Sequence, residues 1–449
     1  MQRAMAQYVP REMAVLGLVE LALSFTVIYL MIQVSAATAW MPERPGRLPG
    51  NSVALAALIA LSIGLIGLGL GLYQPEVCLN RKRLLPATCL AAVLTFAVLL
   101  AFGGGLAERF TVWQAVETAK LCAAWLASMT VLRLLWGLGR VRGFLVRRVL
   151  LLGDAKQAAA FNARLQSRRG RIFEPVTMPV REVSWPKLRR HGIWGVVIAS
   201  GIDEPTADSL LDCKLRGIPV LSGAAFHEHY LGRIDLDSLT ADGLLLGDGF
   251  ARGGASAALK RLCDIVIAIV MLMLTLPPMA AAALAIKLDS RGPVFYRQQR
   301  IGQFGETFTM FKFRSMTADA EVGGKPRWAQ QQDPRIIRVG RFLRASRIDE
   351  LPQLGNIIRG DMSLVGPRPE RPHFVEQLVR AIPFYRQRAY VKPGLTGWAQ
   401  VNYPYGASVE DAREKLAYDL YYVKHRSVWL DLVILLSTVR VVLFRDGAR

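Results

Sequence analysis

Paired cysteines are missing from this chain. The five present, Cys78, Cys89, Cys122, Cys213 and Cys263, are odd in number and form no CxxC. No disulfide framework is implied, and the fitting role is small buried hydrophobes in a reducing compartment. No short apolar segment at the start of the sequence is followed by a small-residue cleavage site, so a cleaved leader is not expected. Acidic residues are scarce, 35 against 56 Lys and Arg, which leaves a net charge of +21. Such a balance calls for polyanionic partners: nucleic acid, anionic lipid or phosphorylated substrates. There is no recognisable RNA- or DNA-binding motif, so nucleic acid is not expected.

What the chain has in excess is apolar residues. They make up 52% of its 449 positions, and mean hydropathy is +0.27. Four early runs, about 13–36, 52–73, 84–106 and 112–139, each reach the ~20 residues that cross a bilayer as a helix. The charges between them set an orientation. Arg3, Arg11, Arg81, Lys82, Arg83, Arg140, Arg142, Arg147 and Arg148 fall on one side, and Arg44, Arg47 and Arg109 on the other. By the positive-inside rule the N-terminus and everything after Arg140 face the cytoplasm.

A fifth apolar run spans 262–286. It is long enough to cross, but Pro277 and Pro278 sit in its middle and basic residues flank both ends: Lys260 and Arg261, then Lys287 and Arg291. Proline removes a helical hydrogen bond and forces a kink. A crossing would leave one basic cluster outside. A re-entrant helix–break–helix is therefore expected, entering and leaving on the cytoplasmic face, with an ordinary kinked transmembrane helix as the alternative.

Between these lies a soluble α/β pattern. Val149–Leu152, Trp194–Ala199 and Ile218–Leu221 read as strands alternating with helices, which argues for a parallel sheet. The first strand ends at Gly153-Asp154, as in a dinucleotide site. The remaining glycines of GxGxxG are missing, so a pyrophosphate cannot approach the backbone closely. A structural or dimerising role fits better. His227 and His229 form an HxH with no evident third ligand, which reads as a surface pair.

Residues 287–449 carry 27 Lys and Arg against 16 Asp and Glu. Arginine dominates, and its fork gives two parallel hydrogen bonds to a phosphate at any relevant pH. Inside this basic field stand Asp349 and Glu350, followed by Leu351 and Pro352. Adjacent carboxylates before a proline suit a helix start, where unpaired N–H groups stabilise anions. Neighbours i and i+1 point in different directions, so one carboxylate could face phosphorus and the other a metal.

The motifs around that pair resemble those of the bacterial sugar transferase family. They are Phe311-Lys312-Phe313-Arg314-Ser315-Met316, the run Ser346 to Leu354, Gly360 to Glu370 with Pro367-Arg368-Pro369, and Lys392 to Asn402. The resemblance covers about 260–449, and the N-terminal part is similar to the family's long form, which initiates exopolysaccharide or O-antigen synthesis. It implies transfer of a sugar-1-phosphate from a UDP-sugar to undecaprenyl phosphate with release of UMP. Asp349 would be the nucleophile and Glu350 a Mg²⁺ ligand. Arg368 would clamp phosphate, and Lys312, Arg314, Arg347, Gln400 and Asp419 would line the site. It also implies a homodimer. Where the family carries a bulky apolar residue this chain has Gly355, which puts local packing in question.

The whole reading is a membrane protein of the cytoplasmic (inner) membrane. Four transmembrane helices occupy 1–142, a cytoplasmic Rossmann-like α/β domain 143–250, a small-residue linker 251–259, a re-entrant helix 260–288, and a mostly α catalytic domain 289–449. Two competing readings remain: an NAD-dependent sugar-modifying enzyme built on the α/β unit, and a non-catalytic scaffold of polysaccharide assembly. Residues 427–444 suit either a helix lying on the membrane or a core helix.

Overall fold

A computed structural model describes residues 11–38, 52–73, most of 84–95 and 123–135, 146–154, 173–199, 203–245, 254–317, 335–404 and 408–444, with a few isolated positions between them. The chain divides into two compact units, Met1–Gly232 and Arg233–Arg449.

In the first unit, the apolar runs form α1 (Arg11–Thr38) and α2 (Ser52–Gly69). The third and fourth runs are described in part and are helical at 86–95 and 125–135. All four contribute to one cluster that includes Ile28, Ala56, Ile59, Ala92, Trp125 and Met129. Its polar groups point inward. Arg133 grips Glu20 with two bonds, at 2.6 and 2.8 Å, and donates to Thr88 Oγ1, while Trp125 Nε1 donates to Ser24. Leucines and valines such as Leu18, Leu30, Leu58, Leu61, Val93 and Leu135 point outward and are exposed. This arrangement, polar inside and apolar outside, is opposite to that of a helix bundle in water.

The α/β pattern is a four-stranded parallel sheet in the order β2-β1-β3-β4, with β1 at Arg147–Leu152, β2 at Phe173–Val176, β3 at Ile193–Ile198 and β4 at Val220–Ser222. Strand alternation divides its core. Val149 and Leu151 face a cluster with Phe173, Val197 and Phe226, and Leu150 and Leu152 face one with Leu188, Val196, Leu210 and the buried Cys213. The HxH pair is split. His227 is buried against Phe161, with ring centroids 5.4 Å apart, and His229 turns back to the Ala225 carbonyl.

The second unit begins in the chain that follows this sheet. Arg233 pairs with Glu414, and Ile234 N–H donates to the Ala417 carbonyl. Its longest element, α3 (Gly254–Asp289), runs for 36 residues and is, among the described residues, the one helix long and apolar enough to cross a membrane. The expected break at Pro277 and Pro278 is not an interruption: helical structure continues through both. Each proline removes only one donor, which would have served the carbonyl of Met273 or Leu274, and the rest of the ladder persists. Just upstream, Thr275 Oγ1 donates to the Met271 carbonyl at 2.7 Å, a bond that itself bends helices. Leu262, Val266, Val270, Met273, Leu274 and Leu276 along this helix are exposed.

Both ends of α3 are fastened to the same unit. Near the start, Arg261 donates to the carbonyls of Ile357 and Ile358, and Asp264 accepts from Ser363 Oγ and the Leu364 N–H. Near the end, Ala282 and Ile286 pack with Phe313, Ile337 and Leu343, and Asp289 accepts from the Val339 N–H. An antiparallel hairpin follows, β5 (Phe295–Ile301) and β6 (Thr307–Phe313). Then come α4 (Arg338–Ser346), α5 (Gln353–Arg359), the short parallel pair β7 (Ser363–Val365) and β8 (Gly394–Thr396), α6 (Pro372–Ala381), α7 (Val409–His425) and α8 (Val428–Phe444). α8 buries Leu430, Asp431, Ile434 and Ser437 and exposes Trp429, Leu432 and Val439.

Candidate active site

The two carboxylates lie on a single 3-10 turn, Ile348–Glu350, between α4 and α5. Arg347 makes that placement possible. It caps α4 in the left-handed region, φ 61°, a conformation that costs a non-glycine residue about 1–2 kcal/mol. The chain therefore turns sharply, and both carboxylates end up buried, each 8% exposed.

Their surroundings differ. Glu350 Oε1 accepts from Lys312 Nζ at 3.0 Å and from an Arg368 guanidinium N–H at 2.7 Å, and an Arg347 guanidinium nitrogen lies 3.8 Å away. Burial raises the Glu350 carboxyl, but Arg368, Lys312 and Arg347 outweigh it and hold it well below its ordinary value. Asp349 is pushed the other way, by burial first and by the Glu350 carboxylate second. Its Oδ1 is buried and has no hydrogen-bond partner. Burial also lowers the Lys312 ammonium, against the pull of Glu350. One carboxylate is thus neutralised and fixed, while its neighbour is a bare acceptor.

Each cation arrives from a different element. Lys312 is on β6, and its strand is tied to α5 by the fully buried Asn356, which accepts from the Phe311 N–H and donates to the Thr309 carbonyl and to Asp361. Arg368 follows β7 in the stretch Gly366-Pro367-Arg368. Gly366, just past β7, lies close against Gly394 of β8, and a Cβ on Gly394 would collide with the Gly366 backbone, so this approach requires glycine. Behind Arg368 stands Arg388. It donates to the Arg368 carbonyl at 3.0 Å, to Tyr385 Oη at 3.2 Å, and to Asp419 Oδ2 at 2.9 and 2.7 Å. Asp419 is thus two steps from Glu350, reaching it through Arg388 and the Arg368 backbone.

Asp349, Glu350, Lys312, Arg347 and Arg368 therefore come together. Arg314 does not join them: its guanidinium is spent on the Ser290 and Arg291 carbonyls and Ser290 Oγ, which close the end of α3. Gln400 stays beside its own short helix, its Nε2 3.5 Å from the Leu395 carbonyl and its Oε1 buried without a partner. Sequence reasoning missed Arg388, Tyr385, Asn356 and Gln353. Gln353 was within reach: it follows Asp349 by one helical turn, so the two share a face, and its buried Nε2 is also unpartnered. Gly355 sits exposed on α5 with open space where a Cβ would go, so its packing is not compromised.

Residues 255–445 match the family model described as bacterial sugar transferase. Over 275 residues the chain is 43% identical to a UDP-N-acetylgalactosamine-undecaprenyl-phosphate N-acetylgalactosaminephosphotransferase of Aeromonas hydrophila, a match covering 60% of this chain and 64% of that protein. It is 44% identical to a UDP-glucose:undecaprenyl-phosphate glucose-1-phosphate transferase of Xanthomonas campestris pv. campestris, over 43% of this chain and 40% of the relative. A protein with the same activity in its name from Caulobacter vibrioides is 46% identical over 42% of this chain, and 71% of its own length is covered. The chain thus spans between two fifths and two thirds of the first two relatives. With a relative of this identity covered over most of its length, and with the dyad inside the matched stretch, the chain belongs to the bacterial sugar transferase family.

Proposed function

We propose that this protein transfers a sugar-1-phosphate from a UDP-sugar to undecaprenyl phosphate, releasing UMP, as an initiating step of exopolysaccharide or O-antigen synthesis. The observation that carries this reading is the division of labour in the dyad: Glu350 is held by three cations and Asp349 Oδ1 is free. The names of the relatives support it.

In the first step Asp349 Oδ1 attacks the phosphorus that carries the sugar. The bond from that phosphorus to the bridging oxygen breaks, UMP leaves, and the sugar phosphate is held as an acyl phosphate on Asp349. In the second, an oxygen of undecaprenyl phosphate attacks the same phosphorus and the Asp349 carboxylate is released. Splitting one transfer into two is what a covalent nucleophile offers. Arg368, Lys312 and Arg347 supply positive charge to the phosphoryl oxygens, where preorganised charge stabilises the transition state most.

The residues fit Mg²⁺, which is commonly held by one or two carboxylates with substrate phosphates and water completing its shell. Among the described residues no group of three or more His, Cys, Asp or Glu could hold a metal, but Glu350 accepts its bonds on Oε1, leaving Oε2 as the candidate protein ligand. When bound, the ion would polarise the diphosphate and assist the leaving group.

The same reading places the protein in the cytoplasmic membrane, with the four N-terminal apolar segments crossing it and the sheet and dyad on the cytoplasmic face. α3 is re-entrant in this scheme. Its support is that both ends of α3 bind one compact unit, as a segment entering and leaving on one side of a bilayer would, and that the exposed apolar stretch between them holds Thr275, Pro277 and Pro278, residues that bend a helix without ending it. Engineered cysteines near 258 and 290 should label from the same side, and labelling from opposite sides overturns the topology. Resemblance to long-form members supports a homodimer, which native mass measurement would read. The test of the chemistry is UMP release from UDP-sugars by purified protein with Mg²⁺ and undecaprenyl phosphate. Full activity in Asp349→Asn would remove the proposed mechanism.

A further inference from the structure

A cavity of about 500 Å³ opens between the tip of the β5–β6 hairpin, α6 and the turn of residues 385–391, with Arg368 in its lining. This size is within the range of small-molecule sites. Arg368 also donates to Glu350 at 2.7 Å, so the cavity and the dyad share this residue. Three further arginines line it: Arg388, which is paired with Asp419, and Arg380 and Arg386, both exposed and without a carboxylate or carbonyl partner among the described residues.

The far end is aromatic. Phe304 and Tyr390 are 69% and 58% exposed, with ring centroids 6.3 Å apart and planes at 77°. Neither ring contributes to a core. Phe304 also stands at φ 57°, in the left-handed region that a bulky side chain rarely adopts. Gln303 Nε2 donates to the Tyr390 carbonyl at 3.2 Å and fastens the hairpin tip to the opposite wall. An exposed aromatic pair, held in place at a backbone cost and lining the same cavity as unpaired cations, is what a planar base joined to phosphates would use. A strained residue at a built cavity points to function.

We propose that this cavity takes the uridine diphosphate part of the donor, with the uracil ring against Phe304 and Tyr390 and the diphosphate on Arg380 and Arg386. Glu376, also in the lining, faces the ribose hydroxyls. This inference rests on the reading of the protein as a UDP-sugar transferase. It places the sugar-bearing phosphorus at the Arg368 end, toward Asp349.

The test uses full-length protein in nanodiscs, titrated calorimetrically with UDP and, separately, with inorganic pyrophosphate. Phe304→Ala and Tyr390→Ala should each weaken UDP roughly tenfold, since a base–aromatic contact is of that order, and leave pyrophosphate unchanged. Phe304→Gly, which suits the left-handed backbone, should behave like Phe304→Ala with an unaltered melting temperature. The double variant Arg380→Ala, Arg386→Ala should weaken both ligands. The proposal falls if wild-type protein binds no UDP, or if the aromatic variants bind UDP normally. It also falls if they lose UDP and pyrophosphate equally, or if they lose only their partition onto lipid vesicles, which would make the pair a membrane anchor. UDP bound as expected without UMP release from any UDP-sugar would sustain this cavity and remove the transfer reaction. Full turnover with an unchanged KM in Phe304→Ala would remove the cavity and sustain the reaction.

Discussion

Arg388 and Asp419 are the pair whose disruption says most about how the site is held. Both are buried, with side chains 11% and 3% exposed. Burial alone raises the Asp419 carboxyl, while Arg388 pulls it down. Replacing Arg388 with Met keeps the bulk but deletes two guanidinium bonds to Asp419 Oδ2, at 2.9 and 2.7 Å, and those to Tyr385 and the Arg368 carbonyl. Two charge-assisted bonds at about 1.5–3 kcal/mol each give roughly 3–6 kcal/mol. That agrees with the about 3–5 kcal/mol seen when one partner of a buried ion pair is removed. In a unit of this size the melting temperature should fall by roughly 6–20 °C.

Removing both charges separates stability from positioning. Asp419→Leu combined with Arg388→Met leaves no buried charge unpaired, and such apolar replacements are close to neutral or stabilising. The double variant should recover most of the lost melting temperature in nanodiscs. Its kcat should stay low, because the Arg368 carbonyl has still lost its anchor and a displacement of about 1 Å can cost 100-fold in rate. An Arg388→Met protein that melts within about 2 °C of wild type would refute the stability argument. A double variant that regains both stability and kcat would refute the positioning role.

Three other outcomes follow from the same geometry. Asp349→Asn should abolish UMP release yet raise the melting temperature, because burial and Glu350 both disfavour the charged form of Asp349 in the fold. The attacking carboxylate must be ionised, so activity should fall as pH drops through the Asp349 pKa, at a higher pH than for an ordinary aspartate. In Glu350→Gln any residual activity should lose that acid limb at lower pH, since the second cause of the shift is gone; a limb that stays put would count against the coupling. Gly355→Ala should stabilise α5 by about 0.5–1 kcal/mol in chemical unfolding, with activity intact, because the added Cβ meets open space; a loss of stability would mean the position is more crowded than it is drawn.

The dyad and its three cations, Lys312, Arg347 and Arg368, were legible because they lie in short runs of chain where residue type and neighbours carry the chemistry. Asp349, Glu350 and Arg347 share one turn, and Pro367-Arg368-Pro369 is rigid by composition. Arg388 was hidden among 27 basic residues, since only the fold brings it to Asp419, 31 positions away. Arg314 stood out for its place beside Lys312, and strand alternation would put both on one face, but β6 ends at Phe313 and the chain's exit turns Arg314 to the Ser290 and Arg291 carbonyls. The helix–break–helix was read from the missing donors of Pro277 and Pro278 together with the basic residues at both ends, whereas the helix continues through both prolines. Whether a helix continues past a proline depends on the strength of its neighbouring bonds, and composition does not encode that. Three strands of the parallel sheet were read from the sequence, but β2, the short Phe173–Val176 with its proline, was not, and it pairs beside β1.

The two ends of α3 hold different halves of the site. At its start, Asp264 binds Ser363 and the Leu364 N–H of β7, and Lys260 donates to the Val365 carbonyl and to Asp431 at 2.6 Å, so this end fixes the strand that delivers Arg368. At its end, Ile286 packs on Phe313 and Leu343 and Asp289 caps α4, so that end fixes the elements that deliver Lys312 and the dyad. The path of α3 between these points therefore bears on how Arg368 meets Glu350, a contact of 2.7 Å. Pro277→Ala with Pro278→Ala restores donors for the Met273 and Leu274 carbonyls and favours a straighter helix. In a re-entrant arrangement this works against both sets of anchors at once. The expected result is a fall in kcat with UDP affinity retained, because the cavity beside α6 makes no use of α3. An unchanged kcat would mean that the bend and the site are independent, and that the prolines serve insertion alone.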